Sequence, residues 1–575
     1  MPVHNEDIAA IFDEIADLLE IQDANPFRVR AYRNGARTVR GLGQDLGEWV
    51  HEDRDLTRLP GIGKDLAQKI KEIHHTGSSS ALKELHKEIP ASLEQLLKIP
   101  GLGPKRVKAL YKDLGIETLS QLEQAALSGR LATLPGFGDK TQQRVVEVIA
   151  SHREKKRRFL RATAMEYAEP LVAYLRQTPG IKEVVVAGSY RRGKETVGDL
   201  DVLATAGPKT LVMERFTTYD EVTEAVSQGP TRATVILRCG LQVDLRAVEA
   251  PSFGAALHYF TGSKAHNIQI RRLGQQAGLK INEYGVFRGE RRVAGRTEAS
   301  VFRSVGLPYI EPELREGQGE VEAAREGALP QLVALSDLKG NLHTHTTASD
   351  GQAGLEEMVL AAQALGLDYL AITDHSRHLT VANGLTPERL AAQMEEIDAL
   401  NERIPGITVL KGIEVDILED GRLDLPNRAL KGLDLVVGAV HSHFGLSRMR
   451  QTERILRAMD NPYFSILAHP SGRLLLERDP YDVDMGQLID HARQRGCFLE
   501  LNAQPERLDL TDTYCRLAKA EGVRMSLASD AHSEQQLNHL RLGIAQARRG
   551  WLEADDVINT RPLSKLRALL RQTMG

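Results

Sequence analysis

Two stretches of the sequence concentrate side chains that bind cations. In "GSYRRGKETVGDLDVL" (188–203), Asp199 and Asp201 flank a single leucine in an otherwise apolar run. In "NLHTHTTASDG" (341–351), His343 and His345 repeat that spacing with imidazoles. Acidic residues weaken a strand, so a pair of them inside one needs a reason. Along an extended strand, residues i and i+2 point to the same face with Cα atoms about 6.5–7 Å apart, so each pair aims at one spot. A third carboxylate, Asp244 in "LQVDLR", sits in a similar apolar strand that could lie alongside the first. Three carboxylates on one face repel one another unless cations neutralise them. Oxygen-only ligands favour magnesium or manganese. Two such ions about 4 Å apart can activate an attacking hydroxyl and stabilise a leaving oxygen in phosphoryl transfer. Just upstream, Gly188, Ser189 and Arg192 form a turn whose N–H groups, hydroxyl and guanidinium can hold nucleotide phosphates.

The histidine pair has company further on. Asp350, His375, Glu414, His441, His469, Asp530 and His532 sit at or just beyond the ends of apolar runs. With His343 and His345 they make nine candidate ligands, six of them imidazoles, enough for two or three cations. A nitrogen-rich set suits zinc, manganese or iron better than magnesium alone. A single histidine at a strand end is usually a satisfied core or surface residue. Nine polar ends in series are not explained by packing. Asp374, Asp416, His378 and His443 are candidate neighbours that orient the ligands.

These groups need elements to position them. Residues 1 to about 150 read as helical and carry a motif three times: "LPGIGKDLAQKI" (59–70), "IPGLGPKRVKALY" (99–111) and "LPGFGDKTQQRVVEVI" (134–149). The glycine pairs Gly61/Gly63, Gly101/Gly103 and Gly136/Gly138 allow a tight turn with positive φ and close backbone approach. Each turn opens a helix whose free N–H groups suit a phosphate, with Lys105 and Lys140 nearby in two copies. Such contacts grip the nucleic-acid backbone without reading sequence. Residues 155–317 change to mixed α and β, with short strands in "EVVVAGSY", "LDVLATAG", "ATVILRCG" and "LQVDLRAV" and a hairpin at "RCGL". The acidic stretch 311–335 reads as a linker with a short helix. Beyond it, strands such as "YLAIT", "VLKGIEV" and "LDLVVGAV" alternate with helical runs, the pattern of a parallel α/β barrel.

Composition sets looser bounds. A chain of 575 residues implies about three to five domains. The formal net charge of −4 does not advertise a nucleic-acid binder, but "REKKRRFLR" and "NPFRVRAYRNGARTVR" are locally basic. No apolar run approaches the roughly 20 residues of a membrane helix. The opening "MPVHNEDIAAIFDEIADLLEI" reads as an amphipathic helix rather than a signal peptide. Cys239, Cys497 and Cys515 lie far apart without redox or zinc spacing, so a reducing cytoplasm is expected.

The repeats resemble helix-hairpin-helix modules that bind DNA without sequence preference. The Gly-Ser turn, the acidic pair and the third aspartate resemble the nucleotidyltransferase palm of family X DNA polymerases, the group that includes DNA polymerase beta. The likeness continues through "YFTGSKAHNIQIRRL" (259–273) and "INEYGVF" (281–287). It implies that Asp199, Asp201 and Asp244 bind the catalytic ions, and that Gly188, Ser189, Arg192 and Gly198 bind the nucleotide. It also implies that Tyr259, Phe260 and Gly262 shape the sugar pocket, that Asn267 and Arg271 lie near the nascent base pair, and that Lys264 meets the base or triphosphate. Some members remove a deoxyribose phosphate through a Schiff-base lysine. Lys69 falls at that position, but Asp65 replaces the supporting lysine, so a phosphate contact is the expectation. The nine-residue series resembles the PHP (polymerase and histidinol phosphatase) family of metal-dependent phosphoesterases, with every ligand position filled.

Together these resemblances imply a layout of two helical DNA-binding regions (1–85, with the first hairpin, and 86–154, with two more) and a palm (155–250). A nucleotide-binding subdomain (251–317), a linker (318–335) and a distorted TIM-like PHP barrel (336–575) would follow. The function implied is template-directed filling of short gaps in DNA repair, with the barrel as a 3′–5′ exonuclease or phosphoesterase. Gapped or primed DNA and deoxynucleoside triphosphates would be the partners of a cytoplasmic monomer. A non-templated nucleotidyltransferase with a small-molecule phosphatase would have no use for three hairpins. A spent DNA-end scaffold would not keep both ligand sets.

Overall fold

The structure, a computed structural model, describes residues 5–22, 24–40, 46–52, 54–59, 61–88, 93, 96, 102, 104–134, 158–207 and 210–574. The chain divides into two compact units, 1–157 and 158–575.

In the first unit the described elements are helical. The opening helix Asn5–Ile21 buries Ile8, Phe12, Ile15 and Leu19 along one stripe, the i, i+4, i+7 spacing of an amphipathic helix. The next helix, Pro26–Arg40, begins with proline at its first position, where no N–H is missed, and the Asn25 side chain accepts from the Phe27 N–H at 2.9 Å. Its Gly35 permits close packing, because a Cβ there would lie 3.0 Å from Leu66 and 3.2 Å from Phe12. Helices Lys64–Thr76, Pro104–Leu114 and Leu119–Leu127 follow, the last closed by a reciprocal Thr118–Gln121 cap.

The second unit starts with a five-stranded sheet. Its strands are β1 (Val184–Val186), β2 (Asp199–Thr205), β3 (Val222–Gln228), β4 (Arg232–Leu237) and β5 (Gln242–Val248), in spatial order β1-β2-β5-β4-β3. Strands β2 and β5 run parallel and the other pairs antiparallel. The turn joining β4 to β5 is the hairpin expected at "RCGL", with Gly240 at φ +87°. Alternation along β2 sorts its residues: Leu200, Val202 and Ala204 pack with Ala164, Ala168 and Leu171 of the helix Arg161–Arg176, whereas Leu203 packs with Phe253 and Leu257 on the opposite face. Asp199 and Asp201 share the Leu203 side by the two-residue period. A subdomain follows, built from helices Phe253–Thr261, Lys264–Gln276 and Glu298–Ser304 with a three-stranded antiparallel sheet. The stretch 318–335 carries the short helix Glu320–Glu326, and Val321 and Ala324 are buried in that subdomain's core.

The barrel strands are β6 (Gly340–Asn341), β7 (Tyr369–Ile372), β8 (Thr408–Lys411), β9 (Glu414–Asp416), β10 (Val437–Ala439), β11 (Ile466–Leu467), β12 (Phe498–Asn502) and β13 (Met525–Ala528). Every ladder between them is parallel. Strands β8 and β9 are one strand interrupted at Gly412–Ile413, the first half pairing with β7 and the second with β10. Bridges Thr344–Ala531 and His375–Glu414 close the ring at its C-terminal rim. Tyr369, Ala371, Val437, Ala439, Ile466 and Phe498 fill the interior, and Ile558, Leu566 and Leu570 join that cluster from the chain's last turns. Among the described residues, no helix is long and apolar enough to cross a membrane.

Candidate functional site

On the mixed sheet, β2 and β5 pair so that Asp201 lies directly opposite Asp244. The three acids therefore share one face: spacing predicts it for Asp199 and Asp201, and strand pairing adds Asp244. Burial, and then the charges of Asp199 and Asp244, push the Asp201 carboxyl up to about 6. Asp199, at the more open end of the strand, is raised for the same two reasons. Asp244 goes the other way. Burial alone would raise it, but hydrogen bonds from Thr234 Oγ1 (2.6 Å), Gln242 Nε2 (2.8 Å) and Arg232 Nη2 (3.1 Å) outweigh burial and hold it below the usual carboxylate range. Carboxylates raised by burial and by one another's charge form a set that a cation would stabilise. The donor set is all oxygen, which fits a hard divalent ion.

The turn before β2 is shaped to that cluster. Gly188 has φ +62°, and a Cβ on it would sit 2.6 Å from Asp201 Oδ2, so glycine is required twice over. Ser189 is half-buried in the single turn Gly188–Arg191. Arg192 directs Nη1 to the Thr261 carbonyl (2.5 Å) and Nε to Glu316 (3.0 Å), and its charge reaches Asp201. Gly198 precedes β2, near Arg158. Tyr259 and Phe260 meet edge-to-face at 4.9 Å, with the Arg271 guanidinium 5.0 Å over the first ring and Arg246 4.4 Å over the second. Asn267 Nδ2 donates to the Tyr259 carbonyl at 2.7 Å. Gly262 ends that helix at φ +68°, and Lys264 is exposed at the start of the next.

The barrel rim gathers the second set. Glu414 lies at its centre: His375 Nδ1 (2.7 Å), His469 Nε2 (3.1 Å), His441 Nε2 (3.3 Å), His343 Nε2 (3.5 Å) and His345 Nε2 (3.7 Å) all approach its carboxylate. Asp530 receives His345 at 3.0 Å and His343 at 3.5 Å, and Asp350 lies 3.5 Å from His375 and 3.4 Å from His532. All nine expected residues are thus brought together. Three groups have ligand atoms within 4.8 Å of one another: His345, Asp350, His375 and His532; His343, His345 and Asp530; His375, Glu414 and His441. The three sheet aspartates do not converge to that degree among the described residues. At the rim, His343 Nε2, His345 Nδ1, His375 Nδ1, His469 Nδ1 and Glu414 Oε2 are buried without a hydrogen bond. Burial would keep His375 neutral, yet Glu414 and Asp350 outweigh it and push the ring up to about 10. The centre demands positive charge, and imidazoles with carboxylates fit divalent cations there.

One contributor lies outside the spacing argument. Glu500, fully buried in β12, bonds His343 Nδ1 at 2.6 Å and accepts the His469 N–H at 2.7 Å, fixing both. Its signal was an acid inside an apolar strand, "FLELN", the same one that marked Glu414. Asp416 bonds His441 Nδ1 at 2.9 Å, as a neighbour should. Asp374 instead holds the loop bearing Asp350, through Thr346 and Ser349. His443 points away and is exposed, 3.9 Å from Glu419, and His378 donates its backbone N–H to Asp424.

In the helical unit, Gly61 adopts φ +76° and Gly63 caps the helix Lys64–Thr76 with no side chain over its N-terminus, the geometry expected of a hairpin. Lys69 on that helix pairs with Asp65 at 2.5 Å; burial would lower it, but Asp65 and Tyr32 raise it. Lys105 lies in the helix Pro104–Leu114, its side chain outside the described set. Gly101, Gly103, Gly136, Gly138 and Lys140 lie outside the described residues.

Family models match the chain in five segments: a helix-hairpin-helix domain (3–79), a SAM-like helix-hairpin-helix tandem (93–150), the DNA polymerase beta palm (161–240), the DNA polymerase beta thumb (256–316) and the PHP domain (341–504). The chain is 38% identical over 575 residues to the DNA polymerase/3′-5′ exonuclease PolX of Bacillus subtilis (strain 168), covering 99% of this chain and all of that one. A probable phosphatase of Thermoanaerobacter sp. (strain X514) is 30% identical over 241 residues, 40% of this chain and 93% of its own. Another, from Acetivibrio thermocellus, is 29% identical over 199 residues, 33% of this chain and 78% of its own. Hairpin modules, polymerase palm and thumb, and PHP barrel thus stand in one chain that matches a polymerase/exonuclease along its whole length, and the protein belongs to the bacterial family X DNA polymerases that carry a C-terminal PHP domain.

Proposed function

We propose that the protein extends DNA primers across short gaps on a template and trims 3′ ends with its barrel, using two separate metal centres. The observation that carries this is the coexistence of the Asp199–Asp201–Asp244 face and the nine-ligand rim in one chain. At the palm, divalent ions would supply Lewis-acid activation of the primer hydroxyl and neutralise charge on the phosphates. Asp199 and Asp201 would hold both ions and Asp244 the one nearer the primer. Thr234, Gln242 and Arg232 keep Asp244 ionised for that task. Gly188, Ser189 and Arg192 would seat the triphosphate, Tyr259, Phe260 and Gly262 the sugar, Asn267 and Arg271 the base-pair side, and Lys264 the base or phosphates. Magnesium or manganese suits this oxygen set.

At the barrel the ions, zinc, manganese or iron by ligand type, would activate water toward a terminal phosphodiester. Glu414 and Asp530 would be the buried carboxylates that help hold these ions, and Glu500 and Asp416 hold the histidine rings. The hairpin glycines would grip DNA phosphates through helix N-termini. Lys69 is read as a phosphate contact and not a nucleophile, because Asp65 keeps its amine protonated. Such a protein works as a monomer in the cytoplasm.

One assay tests the reading: a gapped, end-labelled duplex with manganese, with and without nucleotides. Extension is expected to require Asp201 and shortening to require His343. Loss of both activities on Asp201→Ala alone would contradict two separate centres.

A further inference from the structure

The barrel helix Leu540–Arg549 packs against the palm turn that carries Arg192. Gly193, at φ +70°, brings the turn close, so that a Cβ there would lie 3.3 Å from Ala545. Gln546 Nε2 donates to Glu195 at 2.8 Å, and Arg473 Nη2 donates to the same oxygen at 2.6 Å. At the end of this row, Arg549 Nη1 donates to Glu316 Oε1 at 2.8 Å and to the Arg192 carbonyl at 3.1 Å, and its other arm pairs with Asp512. The same Glu316 oxygen accepts from Arg192 Nε at 3.0 Å, with Lys194 Nζ 3.6 Å away. One carboxylate of the thumb is thus shared by cations from the palm and from the barrel.

That sharing presents a problem for nucleotide binding. Swinging the Arg192 guanidinium toward a triphosphate loosens its Nε bond to Glu316, and a buried carboxylate that loses a directly bonded cation is disfavoured. A cation that stays behind removes the penalty. Arg549 is placed to be that cation: its side chain is 2% exposed and pinned by Asp512, so it is not free to follow the nucleotide. Burial would raise the Glu316 carboxyl, but Arg549 above all, then Lys194 and Arg192, bring it down to about 2.

We propose that Arg549 is a positioning residue for nucleotide binding: as the standing counter-ion of Glu316, it frees Arg192 to meet the incoming triphosphate. The barrel then contributes to the polymerase site as well as to its own. This rests on the reading of Arg192 as a triphosphate ligand.

The test is steady-state gap filling with the full-length protein. Arg549→Met is expected to raise the KM for the nucleotide about tenfold with kcat within about twofold, because the triphosphate contact is lost equally from the bound nucleotide and from the transition state. Exonuclease activity, measured alongside, should be unchanged and serves as the check on folding. Adding Glu316→Gln to Arg549→Met should restore the KM, since no carboxylate then competes for Arg192, and Arg549→Lys should fall between. A purely structural role for Arg549 would not be rescued by that second change. If Arg192→Ala leaves the KM unaltered, the assignment of Arg192 falls. If Arg192→Ala raises it while Arg549→Met does not, or if Glu316→Gln gives no rescue, the counter-ion proposal is overturned. Should Arg549→Met lose exonuclease too, Arg549→Lys compared with Arg549→Lys/Glu316→Gln decides by the same rescue.

Discussion

The palm and the barrel both place cation ligands on parallel strands, yet they differ in how complete they are without their ions. At the barrel rim, five histidines surround one buried glutamate within 2.7–3.7 Å, and three ligand groups already converge. At the palm, three carboxylates share a face without converging, and Asp199 is exposed. The difference follows from what each ion asks of its site. A nitrogen-rich cage of protein ligands holds its cation on its own. Magnesium keeps several waters and is bound by one or two carboxylates with the substrate's phosphates supplying the rest. On the proposed reading, the rim would hold its ions with protein ligands alone, and the palm face would be completed by its substrates.

This contrast can be broken most directly at the ligands. Asp201→Asn is expected to lower primer extension by about a thousandfold, from lost metal activation, while trimming stays within about twofold. Extension surviving that change would remove the palm from the chemistry. Glu414→Gln is expected to lower trimming at least about a hundredfold and to reduce the metal retained on purification, with extension preserved. Normal metal content in that variant would show that the rim does not depend on its central carboxylate.

Smaller effects sharpen the contrast. Gly188→Ala would drive a methyl onto Asp201, 2.6 Å away, at a positive φ, and is expected to cost extension about a hundredfold while trimming by the barrel stays within about twofold. Equal extension in that variant would show that the turn yields. Glu500→Gln loosens His343 and His469 without removing a ligand, so trimming should fall about tenfold and metal affinity with it, measured by competition with a chelator. The smallest effect concerns retention. After gel filtration in metal-free buffer, metal analysis should find ions at the barrel and none at the palm, and added magnesium should restore extension at once. Equal retention at both would erase the distinction.

Much of this is legible in the sequence. The Asp199–Asp201 pair shares a face because strand alternation is local, His343 and His345 keep that alternation just past β6 on either side of the Thr344–Ala531 bridge, and the nine polar ends mark a barrel mouth because each apolar run ends there. Strand Val222–Gln228 escaped the reading because it lies at a sheet edge with most of its residues exposed, so burial imprints no alternation on it. Glu500 escaped because, alone, an acid in an apolar strand has no partner within reach in sequence.

Local pattern, then, determined which side chains could bind metal or phosphate and on which kind of element each would ride, since periods of two and of about three and a half are set by backbone geometry. Only the tertiary structure decided that Asp244 stands opposite Asp201, that Glu414 is the hub of five histidines, and that Arg192 shares Glu316 with an arginine from the far end of the chain. Those pairings join residues tens to hundreds of positions apart. They depend on which strands and helices pack together, and no local spacing records that choice.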